Sequence, residues 1–401
     1  MGEAARSPCP GDDRCGQTVL PSSDYTYTLE DDVHGEGELG LKNLKDLNDN
    51  TAGDLSPLVF QSGGVPSTPK CGTDKTSAYA KNTTIIEQPV DFSKLAPKYN
   101  EFVIDFIEKS HADPFFLYMP FSHVHTTAGN QPQKQYASCK FQNTSIRGAF
   151  GDAIKEVDWI VGNVVSKLKE LEVMKNTLIL FTGDNGPWLI QGLSGGSAGL
   201  FTGRYSGYWN TGKGSTWDGG IHEAAFAHWE GMIPPGSRTA EVTSSLDLFP
   251  TATALAGLEL PSDRVYDGKD MSDVLLKPDG KSKHEVLFFY GGAKTSTPGG
   301  PSAARMGCWK AHWGTGPGMG GCVIGGGIKN ETSGEDIRCP AYVYPTEAPL
   351  LFNLCVDPSE GMPQAGALPS GSNPGPSPVP VPQVEVDAVL NKIVEACVLY
   401  T

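Results

Sequence analysis

The sequence predicts an α/β fold, in which a parallel strand, helix, strand unit is followed by a smaller domain of short antiparallel strands. Three observations carry this. Thr177-Leu178-Ile179-Leu180-Phe181-Thr182 is a largely apolar run that stops abruptly at Gly183-Asp184-Asn185-Gly186-Pro187; it reads as a buried strand delivering side-chain oxygens to a turn. Before it, Ile154, Val157, Val161, Val164, Leu168 and Leu171 recur at helical spacing. Beyond it, Glu285 to Tyr290, Met306 to Trp313 and Pro349 to Leu354 are short strand candidates at antiparallel spacing.

In chain order, residues 1–96 begin acidic and rich in Gly, Ser and Asp with little periodicity. They form a loop-rich insertion or a partly disordered segment. The main domain spans 97–263 and opens with a helical stripe of Tyr99, Phe102, Val103, Phe106 and Ile107. Pro114-Phe115-Phe116-Leu117-Tyr118-Met119-Pro120 follows as a short strand leading into Ser122-His123-Val124-His125. The helix over Gly151 to Val173 comes next, with Asp152 at its start and Lys167 and Lys169 near its end, as the helix dipole favours. Strand, helix and strand in this order imply a parallel crossover that brings His125 and Asp184 to one sheet edge. A second domain, 264–368, starts with a connector, Tyr266 to Ser282. The Pro/Gly/Ser-rich stretch 369–383 is an extended linker, and 384–401 is a closing helix. There are no internal repeats.

A hydrophobic content of 38 % suffices for a core, and a formal net charge of −15 argues against nucleic-acid binding. An anionic substrate must then be recognised by a local cation cluster. Nine cysteines are many for a cytosolic chain and show no metal spacing. Cys308, Cys322 and Cys339 share a Gly-rich stretch that can close a loop disulfide, and Cys9 with Cys15 can close another. Asn82, Asn143 and Asn330 each head an N-glycosylation sequon. The N-terminus has no basic-then-apolar signal peptide, and no apolar run has the length of a membrane span.

Asp184 and Asn185 present oxygen ligands suited to a hard divalent cation, although Asp-Asn-Gly is also a turn signal. His125 lies past a strand end, where an imidazole can bind an anion and protonate a leaving group. His123, two residues earlier, shares its face if the chain is extended, which makes it a supporting candidate. Lys213 stands in Gly207-Tyr208-Trp209-Asn210-Thr211-Gly212-Lys213-Gly214, which starts like a P-loop. That motif fails at Gly214, where a Ser or Thr is required, and at the absent preceding strand.

Five ordered segments carry a family resemblance. These are Phe115 to His125; Phe150-Gly151-Asp152 with Asp158; Phe181 to Pro187; Gly212-Lys213-Gly214-Ser215-Thr216-Trp217-Asp218-Gly219-Gly220-Ile221; and Ser245-Leu246-Asp247-Leu248-Phe249-Pro250-Thr251. Together they resemble the sulfatase family, its arylsulfatase A-like branch in particular, over roughly Lys81 to Pro358. The resemblance implies an alkaline-phosphatase-like sandwich with a largely parallel sheet and a small C-terminal antiparallel α+β domain. It also implies hydrolysis of a sulfuric ester, calcium held by Asp184 and Asn185, catalytic and substrate-binding roles for both His125 and Lys213, the latter as the sulfate-binding cation, and His123 as a further substrate-binding candidate. These groups should meet in one crevice within about 10 Å, the scale of one bound anion and ion. The nine cysteines and three sequons favour a lysosomal or secreted parent protein.

The chain departs from the family at three places. Sulfatases convert the cysteine of a Cys-x-Pro/Ala-x-Arg motif to a formylglycine nucleophile, and no cysteine here has that setting. Asp31-Asp32 only superficially mimics the family's Asp-Asp metal pair, because no apolar strand precedes it. His222 replaces the arginine usual after Gly-Gly-Ile. Met1-Gly2, followed by Cys9 and Cys15, matches an internal part of the family, so the chain reads as the C-terminal portion of an arylsulfatase, inactive as given. Two rivals stand beside this reading: a metal-dependent phosphodiesterase or phosphatase of the same superfamily using His123, His125 and His222, and a catalytically dead sulfatase-like binding protein.

Overall fold

The computed structural model describes residues 58–61, 77–81, 84–87, 92–125, 135, 137–206, 211–290, 300–316, 318, 349–365 and 382–400. The described residues divide into two compact units. One takes in residues up to Ile179 with His228–Met232; the other takes in Leu180–Ala227 and Ile233 onward.

The first unit opens with three short antiparallel strands, β1 (Leu58–Gln61), β2 (Ser77–Lys81) and β3 (Thr84–Glu87), paired in that order. The sequence pattern had assigned no strands there. Helix α1, Leu95–Ser110, buries Leu95, Tyr99, Val103 and Ile107, one residue per turn along a single stripe. Pro97 lies in its first turn, where a missing N–H has no intrahelical partner to lose. Helix α2, Gly148–Glu170, packs Ile160 and Leu168 against α1 and Met174. Phe115, Leu117, Met119 and Phe121 pack on the same cluster, while Phe116 and Tyr118 between them are exposed. This is the in-out alternation of a strand, although 114–120 carries no strand assignment.

The face of α2 is turned from the one the sequence suggested. Its buried positions include Asp152, Ala153, Glu156, Ile160 and Leu168, and Ile154 is exposed. Counting apolar residues alone skipped Glu156, which is buried because it is paired. Asp152 does not serve the helix dipole in the first turn. It is buried, and it accepts the backbone N–H groups of Asn143, Thr144 and Ser145 at 2.8, 3.0 and 2.8 Å.

β4 (Ile179–Thr182) pairs with β5 (Ala225–His228), and the one-turn helix α3 (Asp218–Ile221), in the second unit, lies between them in sequence. Helices α4 (Leu248–Leu255) and α5 (Ser272–Leu276) follow. A four-stranded antiparallel sheet then runs in the order β6 (Leu287–Phe289), β7 (Ala303–Met306), β8 (Trp309–His312), β9 (Leu350–Asn353). The stretch Met306 to Trp313 is therefore not one strand. Gly307, at φ 55°, turns the chain, and Met306 faces Trp309 across a hairpin. Leu350 and Phe352 join Tyr205 and Trp217 on one face of β9, while Leu351 on the other joins Val386 and Ile393 of the terminal helix α6, Gln383–Tyr400. Cys308 is disulfide-bonded to Cys355 rather than to Cys322 or Cys339, because the hairpin places it beside the end of β9. Those two cysteines, with Cys9, Cys15, Asp31, Asp32, Asn82 and Asn330, lie outside the described residues.

Candidate active site

Three of the predicted residues come together in the second unit. β4 ends at Thr182, and the chain turns through Gly183-Asp184-Asn185-Gly186-Pro187. Asp184 Oδ1 accepts the Asn185 N–H at 2.8 Å, and Asn185 Nδ2 donates to the Gly186 carbonyl at 2.9 Å. The second Asp184 oxygen and the Asn185 carbonyl oxygen thus keep acceptor capacity.

This turn is stitched to the lysine loop through backbone. Lys213 N–H donates to the Pro187 carbonyl, and Gly186 N–H donates to the Gly220 carbonyl, both at 2.9 Å. The approach is so close that a Cβ on Gly186 would strike the Gly219 carbonyl, and one on Gly212 the Pro187 carbonyl. Within the loop, Ser215 Oγ donates to the Thr211 carbonyl at 2.7 Å, and Gly214 has φ 83°. Lys213 is buried at 8 % exposure, and the glycines let its backbone and the Asp184–Pro187 turn meet in one compact loop cluster.

Glu223, which sequence reasoning passed over, belongs to this cluster. Its side chain lies against Gly183, and its Oε1 is buried without a hydrogen-bond partner. Burial, and then the charge of Asp184, push its carboxyl up to about 7. A buried carboxylate oxygen without a donor, near a second carboxylate, is the kind of group that suits a hard cation. Among the described residues, no group of three or more His, Cys, Asp or Glu side chains is arranged as a metal site.

The raised Glu223 carboxyl makes a stability prediction. Its folded pKa of about 7 exceeds the ordinary 4.5, so between these values the folded chain holds a proton that the unfolded chain releases. Stability therefore falls as pH rises through this window. In chelator, Glu223→Gln should raise the melting temperature by about 3 °C at pH 8 and leave it nearly unchanged at pH 4. Equal shifts at both pH values would show that Glu223 is not strained by its charge.

In the first unit, His125 follows a turn in which its N–H donates to the Ser122 carbonyl at 3.2 Å. The chain there is turned rather than extended, so the argument that put His123 on the same face as His125 does not hold. His123 Nε2 lies 3.0 Å from Glu156 Oε2, with both side chains fully buried, and Glu156 Oε1 accepts the Ser138 N–H at 2.9 Å. His123 is thus a core histidine paired with a carboxylate of α2. Asn143 of the second sequon is exposed at φ 59°, on the turn that Asp152 holds.

His222 takes up yet another role. Its Nδ1 lies 3.2 Å from Asp218 Oδ2, and its ring stacks on Phe201 with centroids 4.0 Å apart. Two of the three histidines of the phosphodiesterase reading are therefore hydrogen-bonded to carboxylates.

Two family profiles match in succession, one described as Sulfatase over residues 67–258 and one as C-terminal region of aryl-sulfatase over 282–369. The chain belongs to the sulfatase family. Among similar sulfatases, the steryl-sulfatase of Rattus norvegicus is 36% identical over 286 residues, covering 70% of this chain and 46% of the relative. The arylsulfatase of Hemicentrotus pulcherrimus is 32% identical over 371 residues, 86% of this chain and 63% of the relative. This sulfatase chain spans about half the length of the curated relatives it matches. A solved structure, the PsFucS1 sulfatase from Pseudoalteromonas sp., is similar at a TM-score of 0.56 and 26% identity, covering 73% of this chain and 54% of that one. The chain has the alkaline-phosphatase-like sulfatase fold, with the small antiparallel sheet in its C-terminal region.

Proposed function

We propose that this chain carries the cation-binding and sulfate-binding portion of an arylsulfatase-type active site, whose reaction is hydrolysis of a sulfuric ester. The observation that supports it most is the double backbone stitch between the Asp184–Pro187 turn and the Lys213 loop. Asp184 and Asn185 would hold calcium, which when bound supplies positive charge against the sulfate oxygens. Lys213, buried in its glycine-flanked loop, would offer a second positive charge to stabilise charge that builds on the transferring group. His125 would give a proton to the departing alcohol or phenol, a task suited to an imidazole near neutral pH.

Formylglycine does not fit any cysteine of this sequence, because none stands in Cys-x-Pro/Ala-x-Arg, and no attacking step is assigned to the chain. The same departure favours a second reading, a sulfatase-like protein that binds sulfate esters without turnover. The Cys308–Cys355 disulfide and the exposed Asn143 support a lysosomal or secreted setting. No helix among the described residues is long and apolar enough to cross a membrane.

Binding tests the shared core of both readings. Inorganic sulfate titrated into the purified chain with calcium present should give saturable heat. Lys213→Ala should weaken it at least about tenfold, or about 1.4 kcal/mol. Sulfate binding untouched by Lys213→Ala would sink the proposal.

A further inference from the structure

A charged cluster inside the second unit grips the lysine loop from the C-terminal sheet. Lys310, on β8 and fully buried, places Nζ 2.6 Å from Asp218 Oδ1 and 3.1 Å from Glu360 Oε1. Glu360 Oε1 also lies 2.8 Å from His312 Nε2, and its Oε2 accepts the Asp218 backbone N–H at 2.6 Å. Thr216 Oγ1 meets His312 Nδ1 at 3.4 Å, and the Trp217 ring packs on the His312 ring with centroids 4.6 Å apart. Three consecutive residues, Thr216 to Asp218, are therefore held by side chains of β8 and of the turn after β9.

That turn is itself built to present Glu360. Asp357 accepts the N–H groups of Gly361 and Met362, both at 2.8 Å, and Glu360 sits at φ 49° with its carbonyl accepting the Tyr205 N–H at 3.0 Å. Burial alone would raise the Asp218 carboxyl, but Lys310, His222 and Arg305 hold it below the usual carboxylate range. Burial likewise keeps His312 below its ordinary range. With Lys310 Nζ 2.6 Å from Asp218 Oδ1, the cluster has the geometry of a buried ion pair.

A buried ion pair is weak evidence for stability, since well-packed apolar residues often serve as well. Its directional bonds do specify register. We infer that Lys310 and Glu360 are positioning residues for the anion site: by fixing Thr216–Asp218 they fix the loop that carries Lys213 and its backbone bonds to the Asp184–Pro187 turn. The inference rests on the proposed sulfate-binding role of that loop.

Amide hydrogen exchange of the intact chain tests it with three variants. Lys310→Met removes the central charge at similar length. Glu360→Gln keeps the side chain's shape and an acceptor for the Asp218 N–H, in case the first variant does not fold. Leu351→Ala opens a cavity on the opposite face of β9, against α6, and controls for simple destabilisation. Lys310→Met or Glu360→Gln should speed exchange of the Gly186, Lys213, Ser215 and Gly220 amides at least tenfold with the β7–β9 ladder unchanged. Leu351→Ala should instead speed the ladder and α6. Loop exchange unchanged in both network variants, or rising only in step with the ladder as in the control, would overturn the inference. Sulfate titration of the same proteins is read separately: absence of Lys213-dependent binding in the unmutated chain would remove the sulfate reading, while the exchange pattern still decides whether the cluster positions the loop.

Discussion

Given a chromogenic aryl sulfate, the purified 401-residue chain should turn over at least about a thousandfold more slowly than an intact sulfatase, because loss of a covalent nucleophile ordinarily costs several orders of magnitude in rate. In the proposed reading these groups would bind and neutralise: Asp184 and Asn185 would hold a cation, Lys213 would meet the anion and His125 would give a proton, but none of them would attack sulfur. Binding without an attacking group stabilises the ground state about as well as the transition state, and that does not raise turnover. The assay needs protein expressed through a secretory route, so that Cys308 and Cys355 can pair and a cysteine-oxidising enzyme has had its chance. Turnover close to that of an intact sulfatase would mean that the chain holds a nucleophile outside the family motif.

What the sequence revealed follows from how local each signal is. The strand and the turn over Thr177 to Pro187 are contiguous, so apolar run, carboxylate, amide and glycine could be read together, and the structure has a strand over Ile179–Thr182 followed by that turn. The turn around Lys213 was legible for the same reason, through its flanking glycines, one of which, Gly214, does have a left-handed backbone. Partners distant in sequence were not legible. Asp218 and Lys310 are separated by 92 positions and Asp218 and Glu360 by 142, and no spacing rule connects them. Glu156 broke the apolar stripe of α2, and only the fold shows that His123 makes a buried glutamate tolerable there. The hairpin over Met306 to Trp313 hid behind two apolar flanks, although Gly307 at its centre was a signal that could have been used. Glu223 gave no local sign at all, since its strain comes from burial and from Asp184.

Two glycine-to-alanine changes should move stability in opposite directions, and the contrast tests the loop cluster. Gly162 lies within α2, is exposed, and has open space where a Cβ would go. Glycine inside a helix costs about 0.5–1 kcal/mol relative to alanine through backbone entropy, so Gly162→Ala should stabilise the chain by that amount. Gly186 is buried, and a Cβ there would run into the Gly219 carbonyl and the Gly220 Cα, both main-chain atoms. Overpacking ordinarily costs about 1–3 kcal/mol when side chains can yield. Here the colliding atoms belong to the segment whose Gly220 carbonyl accepts the Gly186 N–H, so relief requires breaking the stitch itself. Gly186→Ala should therefore destabilise by about 3 kcal/mol, the upper end of that range, and should abolish Lys213-dependent sulfate binding even in protein that remains folded. Denaturant melts of the two variants beside the unmutated chain check the signs, and a sulfate titration checks the second claim. If Gly186→Ala melts like the unmutated chain and binds sulfate as well, then the turn and the lysine loop are not locked together, and the proposed site loses its main structural support.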